Sequence, residues 1–351
     1  MNRLAALAET AHRERDPEKA SMVFNGAALV ASDCGDADLA RVWCRRHAHL
    51  YLSHAPLDGY TARFALEPVV NLARLRIREG DGDGAHRLLT DLYETAVNAA
   101  PVRLDGLELH PRHLPTDPSE RDQLISWIRT VLIADGTRAL TLTSRWADAV
   151  THIHRYNGLG PTLLDGRQVS IVAHLVQGQG PAAAAILNQS KIEQEWEALV
   201  GDLLHSWSIA TVSDQSQAEQ LALIDRVSSF TPVPGLAVFS TRIALTALDL
   251  LPGLPSNLAA SLIKRLVTAV IHDQDANPAR VLLNHPALSR KDHQSLAQLV
   301  KASGLSLGHL PDTARHTLSS ALNLAGTVIA THQTQTCGRH AAALPLDNTA
   351  P

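Results

Sequence analysis

Arg78-Glu79-Gly80-Asp81-Gly82-Asp83-Gly84-Ala85 is the stretch on which the fold is decided. Alternate glycines make a sharp turn there, because glycine accepts backbone conformations that other residues resist. Before it, from about Thr61 to Arg78, the pattern is that of a helix adjusted around Pro68. After it, Ala85, Leu88, Leu89, Leu92 and Tyr93 fall on one side of a second helix. The same layout, a helix, a tight turn, then a helix opening on small residues, recurs at Ser144-Arg145-Trp146-Ala147-Asp148-Ala149 and at Gly178-Gln179-Gly180-Pro181-Ala182-Ala183. Asp33-Cys34-Gly35-Asp36-Ala37-Asp38 is a weaker copy. Alanine just past a turn lets two helices approach closely. The expected class is therefore all-α, with stacked antiparallel helix hairpins.

Helix punctuation continues on both sides of these turns. Asp16-Pro17-Glu18 sets a cap residue before a proline at the first helical position. Asp36 caps a helix carrying Leu39, Val42, Trp43, Leu50 and Tyr51. Four prolines between 101 and 118 (Pro101, Pro111, Pro115, Pro118) predict a structureless loop suited to be a lid or binding loop. Helical spacing resumes at Leu124, Trp127, Ile128, Val131 and Leu132. Beyond about Lys191 the punctuation changes, with loops at Thr231–Gly235 and Pro252–Pro255. A helical-repeat region over 1–190, a C-terminal helical region over 191–332 and a disordered tail over 333–351 are the expected divisions.

Composition excludes several classes. The net charge is −4 without a basic patch, which argues against nucleic acid. No run of about 18 apolar residues exists to span a membrane, and the N-terminus lacks a signal-peptide core, so the expected compartment is the cytoplasm. Three cysteines, Cys34, Cys44 and Cys337, at unrelated spacings make no disulfide framework. Five lysines among 31 basic residues match the coding habit of a high-GC actinobacterium.

From Trp146 to Gly180 the offset is 34 residues, the period of tetratricopeptide (TPR) units. Residues 20 to 190 resemble TPR-like helical repeats in degenerate form, an α-solenoid. That resemblance implies first helices of each pair lining a concave groove that takes a peptide or protein segment.

Catalytic and metal motifs do not hold up. His54-Ala55-Pro56-Leu57-Asp58-Gly59 matches the His-x-x-x-Asp-Gly core of condensation and acyl-carrier acyltransferase families, but Ser53 stands where a second His belongs. Leu-Asp-Gly also recurs at 57–59, 104–106 and 164–166, with Ala134-Asp135-Gly136 a near copy, which reads as turn chemistry. The pairs His47/His49 and His152/His154 point apart on a helix. His110/His113 lack a third ligand at metal spacing. No phosphate loop, nucleophile elbow or Asp-rich motif is present, and no cofactor is expected.

What remains is a polar face. Glu67, Asn71, Arg74 and Arg78, spaced four, three and four apart, align on one helix, opposite Val70, Leu72 and Ile77. Arg138, Arg167, Gln168 and His174 occupy comparable first helices. These eight are the candidate binding residues. The leading reading is a non-enzymatic adaptor or regulator that binds a peptide or protein segment, with a small-molecule ligand also open. The alternative is an all-α enzyme or accessory factor of actinobacterial specialised metabolism that uses an Arg/His pocket between helices.

Overall fold

The computed structural model describes the chain except positions 211–215, 231–234, 252, 306 and 343–351, and the side chains of 336–342. Most of the loop expected at 231–235, Pro252, the end of the tail and the Cys337 side chain therefore lie outside the described residues. Sixteen α-helices and one two-stranded sheet are found among the described residues, so the chain is all-α. It divides into two compact units: unit 1 holds residues 1–145 and 308–351, unit 2 holds 146–307. Position 190 falls inside unit 2.

Unit 1 contains α1 (Asn2–Glu14), α2 (Pro17–Asp33), α3 (Ala37–Leu52), α4 (Gly59–Arg78), α5 (Gly82–Asn98), β1 (Val102–Leu104), β2 (Leu107–Leu109), α6 (Pro118–Leu142) and a returning helix, Asp312–Ala342. Each helix from α1 to α6 packs on the next. α2 also meets α4, and α4 also meets α6. Asp16, Asp36, Asp58, Asp81 and Asp117 cap α2 to α6, each accepting from a backbone N–H of the first turn. The caps at Asp16 and Asp36 are the two the sequence reading named.

The tight turns share one geometry. At Gly35, Gly80, Ser144 and Gly178 the residue sits at positive φ (89°, 88°, 60° and 70°). The next N–H reaches back five residues, Asp36 to Ala31 O, Asp81 to Arg76 O, Arg145 to Leu140 O and Gln179 to His174 O. This is the Schellman closure of a helix end. Ala85, Ala149 and Ala183, which follow three of these turns, are fully buried.

An aromatic ladder crosses α2, α3 and α4. Phe24 stacks on His47 at 4.9 Å, His47 meets Tyr51 at 5.7 Å, Tyr51 meets Phe64 at 6.1 Å, and Tyr60 stands edge-on to Phe64 at 4.6 Å. Ser21 and Tyr51 close a hydrogen bond of 2.7 Å inside this core.

The segment expected to be structureless is instead a small hairpin. Val102 pairs with Leu109, Arg103 with Glu108, and Leu104 with Leu107. Asp105 and Gly106 both have positive φ (48° and 85°), as a type I′ turn requires. Leu104, Leu107, Leu109 and Leu114 are buried, and the strands pack on α5 and α3. Arg45 and Arg76 both hold the Asp105 carboxylate, at 3.3 and 3.2 Å. Apolar alternation across a two-residue turn outweighs the prolines on either side.

Unit 2 contains α7 (Trp146–Arg155), α8 (Asp165–Val176), α9 (Gly180–Asn188), α10 (Glu195–Ala210), α11 (Gln217–Ser229), α12 (Ala237–Leu250), α13 (Ser256–Asp273), α14 (Ala276–Leu282) and α15 (Arg290–Ser303). Its core runs through Leu163, Ile171, Leu175 and Ala183 beside α8 and α9. Further on it runs through Leu199, Leu203, Leu223, Ile224 and Ile243, and through Ile263, Val267, Leu282 and Leu296.

The returning helix of unit 1, α16 (Asp312–Ala342), packs on α1, α2 and α3. Its start is fixed by Asp36: Oδ1 accepts from Leu39 N at 3.2 Å, while Oδ2 accepts from Leu310 N and Arg315 Nη2, both at 3.1 Å. The helix extends past Gln333 to Ala342, into the segment expected to be a tail. No helix among the described residues is long and apolar enough to cross a membrane.

Candidate functional site

The polar row of α4 lies in a groove of about 600 Å³ within unit 1. Five of the eight candidate residues line it: Glu67, Asn71, Arg74 and Arg78 from α4, and Arg138 from α6. α2 supplies the facing wall through Asn25, Leu29 and Ser32, and α6 adds Trp127 and Val131.

The row is tied together across three helices. Asn25 Nδ2 donates to Glu67 Oε2 at 3.1 Å, and Asn71 Nδ2 donates to Asn25 Oδ1 at 3.0 Å. Arg74 Nη1 reaches Asn71 Oδ1 at 3.4 Å, and Arg74 Nε donates to Asp135 Oδ2 at 2.8 Å. Arg138 Nη1 lies 3.6 Å from the other oxygen of Asp135. The Asp135 side chain is 6% exposed, while Arg74 and Arg138 are 51% and 67% exposed. One sunken carboxylate therefore orients two guanidiniums whose outer faces remain in water, leaving one positive charge unbalanced there. Arg78 is anchored at the other end, donating to Ser32 Oγ and Asp33 Oδ1, both at 2.8 Å. Arg63 stacks over Trp127 at 5.4 Å and pairs with Glu67 at 3.5 Å.

Two expectations are corrected by this geometry. Val70 and Ile77 line the groove beside the polar row instead of facing away from it. Positions 67, 70, 74 and 77 follow the three-and-four spacing of a single helix face, so the row and these apolar residues are neighbours. Leu72 does face away, fully buried. Asp135-Gly136, read as turn chemistry, lies inside α6 with both residues buried. Asp135 is the site residue that the sequence reading missed. Its signal was unbroken helical spacing from Leu132 to Leu140 and an arginine three positions on.

Arg167, Gln168 and His174 belong to unit 2 and serve local structure. Arg167 Nη1 donates to Ile186 O at 3.0 Å, Gln168 Nε2 to Leu163 O at 2.8 Å, and His174 meets Gln179 at 2.6 Å. The His54–Gly59 string carries turn and cap contacts: Asp58 accepts from Thr61 N at 2.7 Å, and Gly59 N donates to Glu120 at 2.8 Å. His47 and His152 are buried while His49 and His154 are exposed, as a separation of two on a helix requires. His110 and His113 close a short 3₁₀ turn, with His110 N donating to His113 Nδ1 at 3.1 Å. Among the described residues no group of three His, Cys, Asp or Glu could hold a metal.

Cys44 also borders the groove, but burial pushes its thiol up to about 12, so it is a packing residue and not a nucleophile at neutral pH. The groove offers guanidiniums, side-chain amides and an apolar strip. In general chemistry, guanidiniums pair with carboxylates, carboxamides with peptide units, and apolar strips with aliphatic side chains. Comparison of the chain with protein-family models, with curated proteins and with solved structures finds no match.

Proposed function

We propose that this chain is a TPR-like, non-enzymatic adaptor or regulator of the cytoplasm that binds a peptide or protein segment in the groove across α2, α4 and α6. The observation that carries this reading is the convergence of Glu67, Asn71, Arg74, Arg78 and Arg138 on one groove of about 600 Å³. A side-chain amide is both donor and acceptor, as a peptide unit is, so the Asn25–Asn71 pair suits an extended main chain. Arg74 and Arg138 suit an acidic side chain or chain end. Leu29 is 49% exposed and, with Val70 and Ile77, gives an apolar neighbour a seat. The recurring turn geometry, and the contacts of α4 with both α2 and α6, support first helices arranged side by side.

The test is capture from a lysate of the source organism by the wild-type chain and by Arg74→Ala/Arg138→Ala, with bound proteins, peptides and small molecules identified by mass spectrometry. A protein or peptide held by the wild type and lost from the variant supports the reading. Identical captures sink it. Retention of a small molecule alone favours the enzyme or accessory-factor alternative.

A further inference from the structure

A second pocket of unit 1, of about 490 Å³, lies between the end of α1 and the middle of α16, and it shares no residue with the groove. His12, Arg13 and Arg15 come from the α1 side, and Thr331, His332 and Gln335 from α16; no aspartate or glutamate among the described residues lines it. In a chain of net charge −4, a wall with two arginines, two histidines and no carboxylate is a local reversal of sign. The adjacent acids, Glu14 and Asp16, both take Lys19 Nζ, at 2.8 and 2.6 Å, and Glu14 also stands 3.7 Å from Arg13, so the uncompensated charge of the pocket sits on Arg15. Arg15 makes no ion pair among the described residues and is exposed at the αL cap of α1.

We propose that this pocket binds the phosphoryl group of a small phosphorylated ligand. Guanidiniums, imidazoles and the Gln335 carboxamide meet there from two helices, and a phosphoryl group offers three acceptor oxygens and up to two charges to satisfy them; the Thr331 hydroxyl donates instead to Thr327 O at 2.8 Å. A planar carboxylate uses fewer of these directions. The volume exceeds what a bare ion fills and lies in the range of small-molecule sites, with buried Val328 as an apolar contact for the organic part. The carbonyl end of α1 opposes an anion. His12 and Arg13 in its last turn offset that dipole, and the Arg15 N–H closes on the His12 carbonyl. Dipole compensation alone, however, gives no role to the α16 residues.

The experiment is isothermal titration of the full chain with inorganic phosphate, adenosine monophosphate and phosphoserine. Adenosine, serine and chloride at matched ionic strength are the controls. Variants are Arg15→Glu, Gln335→Leu on the α16 side, and Arg3→Glu, which makes the same charge change on α1 outside the pocket. The expected result is binding of at least one phosphorylated probe and none of its unphosphorylated partner. Arg15→Glu should weaken it by about tenfold or more, Gln335→Leu should weaken it measurably, and Arg3→Glu should leave it unchanged. Binding of inorganic phosphate alone would identify the free ion as the ligand; binding of the organic phosphates would identify a metabolite. Equal heats with chloride, no binding of any probe, or equal losses in Arg15→Glu and Arg3→Glu would overturn the proposal. Should Arg15→Glu lose helicity by circular dichroism, Gln335→Leu decides: unchanged affinity there overturns it.

Discussion

His47 sets an acid limit on the stability of unit 1. Its ring is 1% exposed, stacked on Phe24, with no hydrogen-bond partner for either nitrogen among the described residues. Burial pushes its pKa down from 6.5 to about 3. The unfolded chain therefore takes up a proton below 6.5 that the folded chain refuses until about 3. Stability is complete above the upper value and falls as pH drops through this window. At about pH 4.5 the two-unit gap already open corresponds to about 3 kcal/mol, and the full loss approaches about 5 kcal/mol. His47→Phe keeps a stacking ring and removes the titration. Urea unfolding of both proteins at neutral pH and at about pH 4.5 measures the difference. Hydrogen exchange in α2 and α3 identifies the transition that belongs to unit 1. His113, which burial also pushes down to about 4, titrates in both proteins and cancels in the comparison. The variant should gain on the wild type by about 3 kcal/mol over that interval. Parallel profiles for the two proteins would refute the reasoning.

Three further outcomes follow from the packing. An added Cβ at Gly82 would collide with the Ala139 carbonyl oxygen and crowd Thr143, so Gly82→Ala should cost about 1–3 kcal/mol in thermal or urea unfolding, whereas Gly80→Asn, at an open αL position, should cost less than about 1 kcal/mol. Asp36→Ala removes the cap of α3 and both contacts that seat the start of α16; it should destabilise by about 2–3 kcal/mol and speed hydrogen exchange selectively in α16 and α3. Tyr51→Phe leaves the Ser21 hydroxyl buried without its partner and should cost about 1–2 kcal/mol, with Ser21→Ala in the same chain recovering most of the loss; strict additivity of the two changes would contradict this.

Much of the helical order was legible because its signals are local. Asp16-Pro17 and Asp36 mark helix starts, and glycine before aspartate marks the turns at 35 and 80. The polar row of α4 followed from spacing alone. The hairpin at 102–109 was hidden because prolines bracket it, although Leu104 and Leu107 flanking Asp105-Gly106 carried the two-residue turn pattern. Asp135 was hidden because an Asp-Gly pair serves turns far more often than helix interiors, and its closer partner, Arg74, lies 61 positions away. The return of α16 to Asp36 joins residues more than 270 positions apart, a contact that no local periodicity encodes.

The most direct measurement on the central claim is photo-crosslinking from within the groove. A photoreactive residue replaces Leu29, which lines the groove, and in a second protein replaces Val42, exposed on α3 and not among the groove residues. In the source organism the Leu29 position should yield one dominant protein or peptide adduct. That adduct should be absent at Val42 and abolished by Arg74→Ala/Arg138→Ala. The same adducts from both positions, or a Leu29 adduct indifferent to the arginines, would contradict a groove built to hold a polypeptide segment.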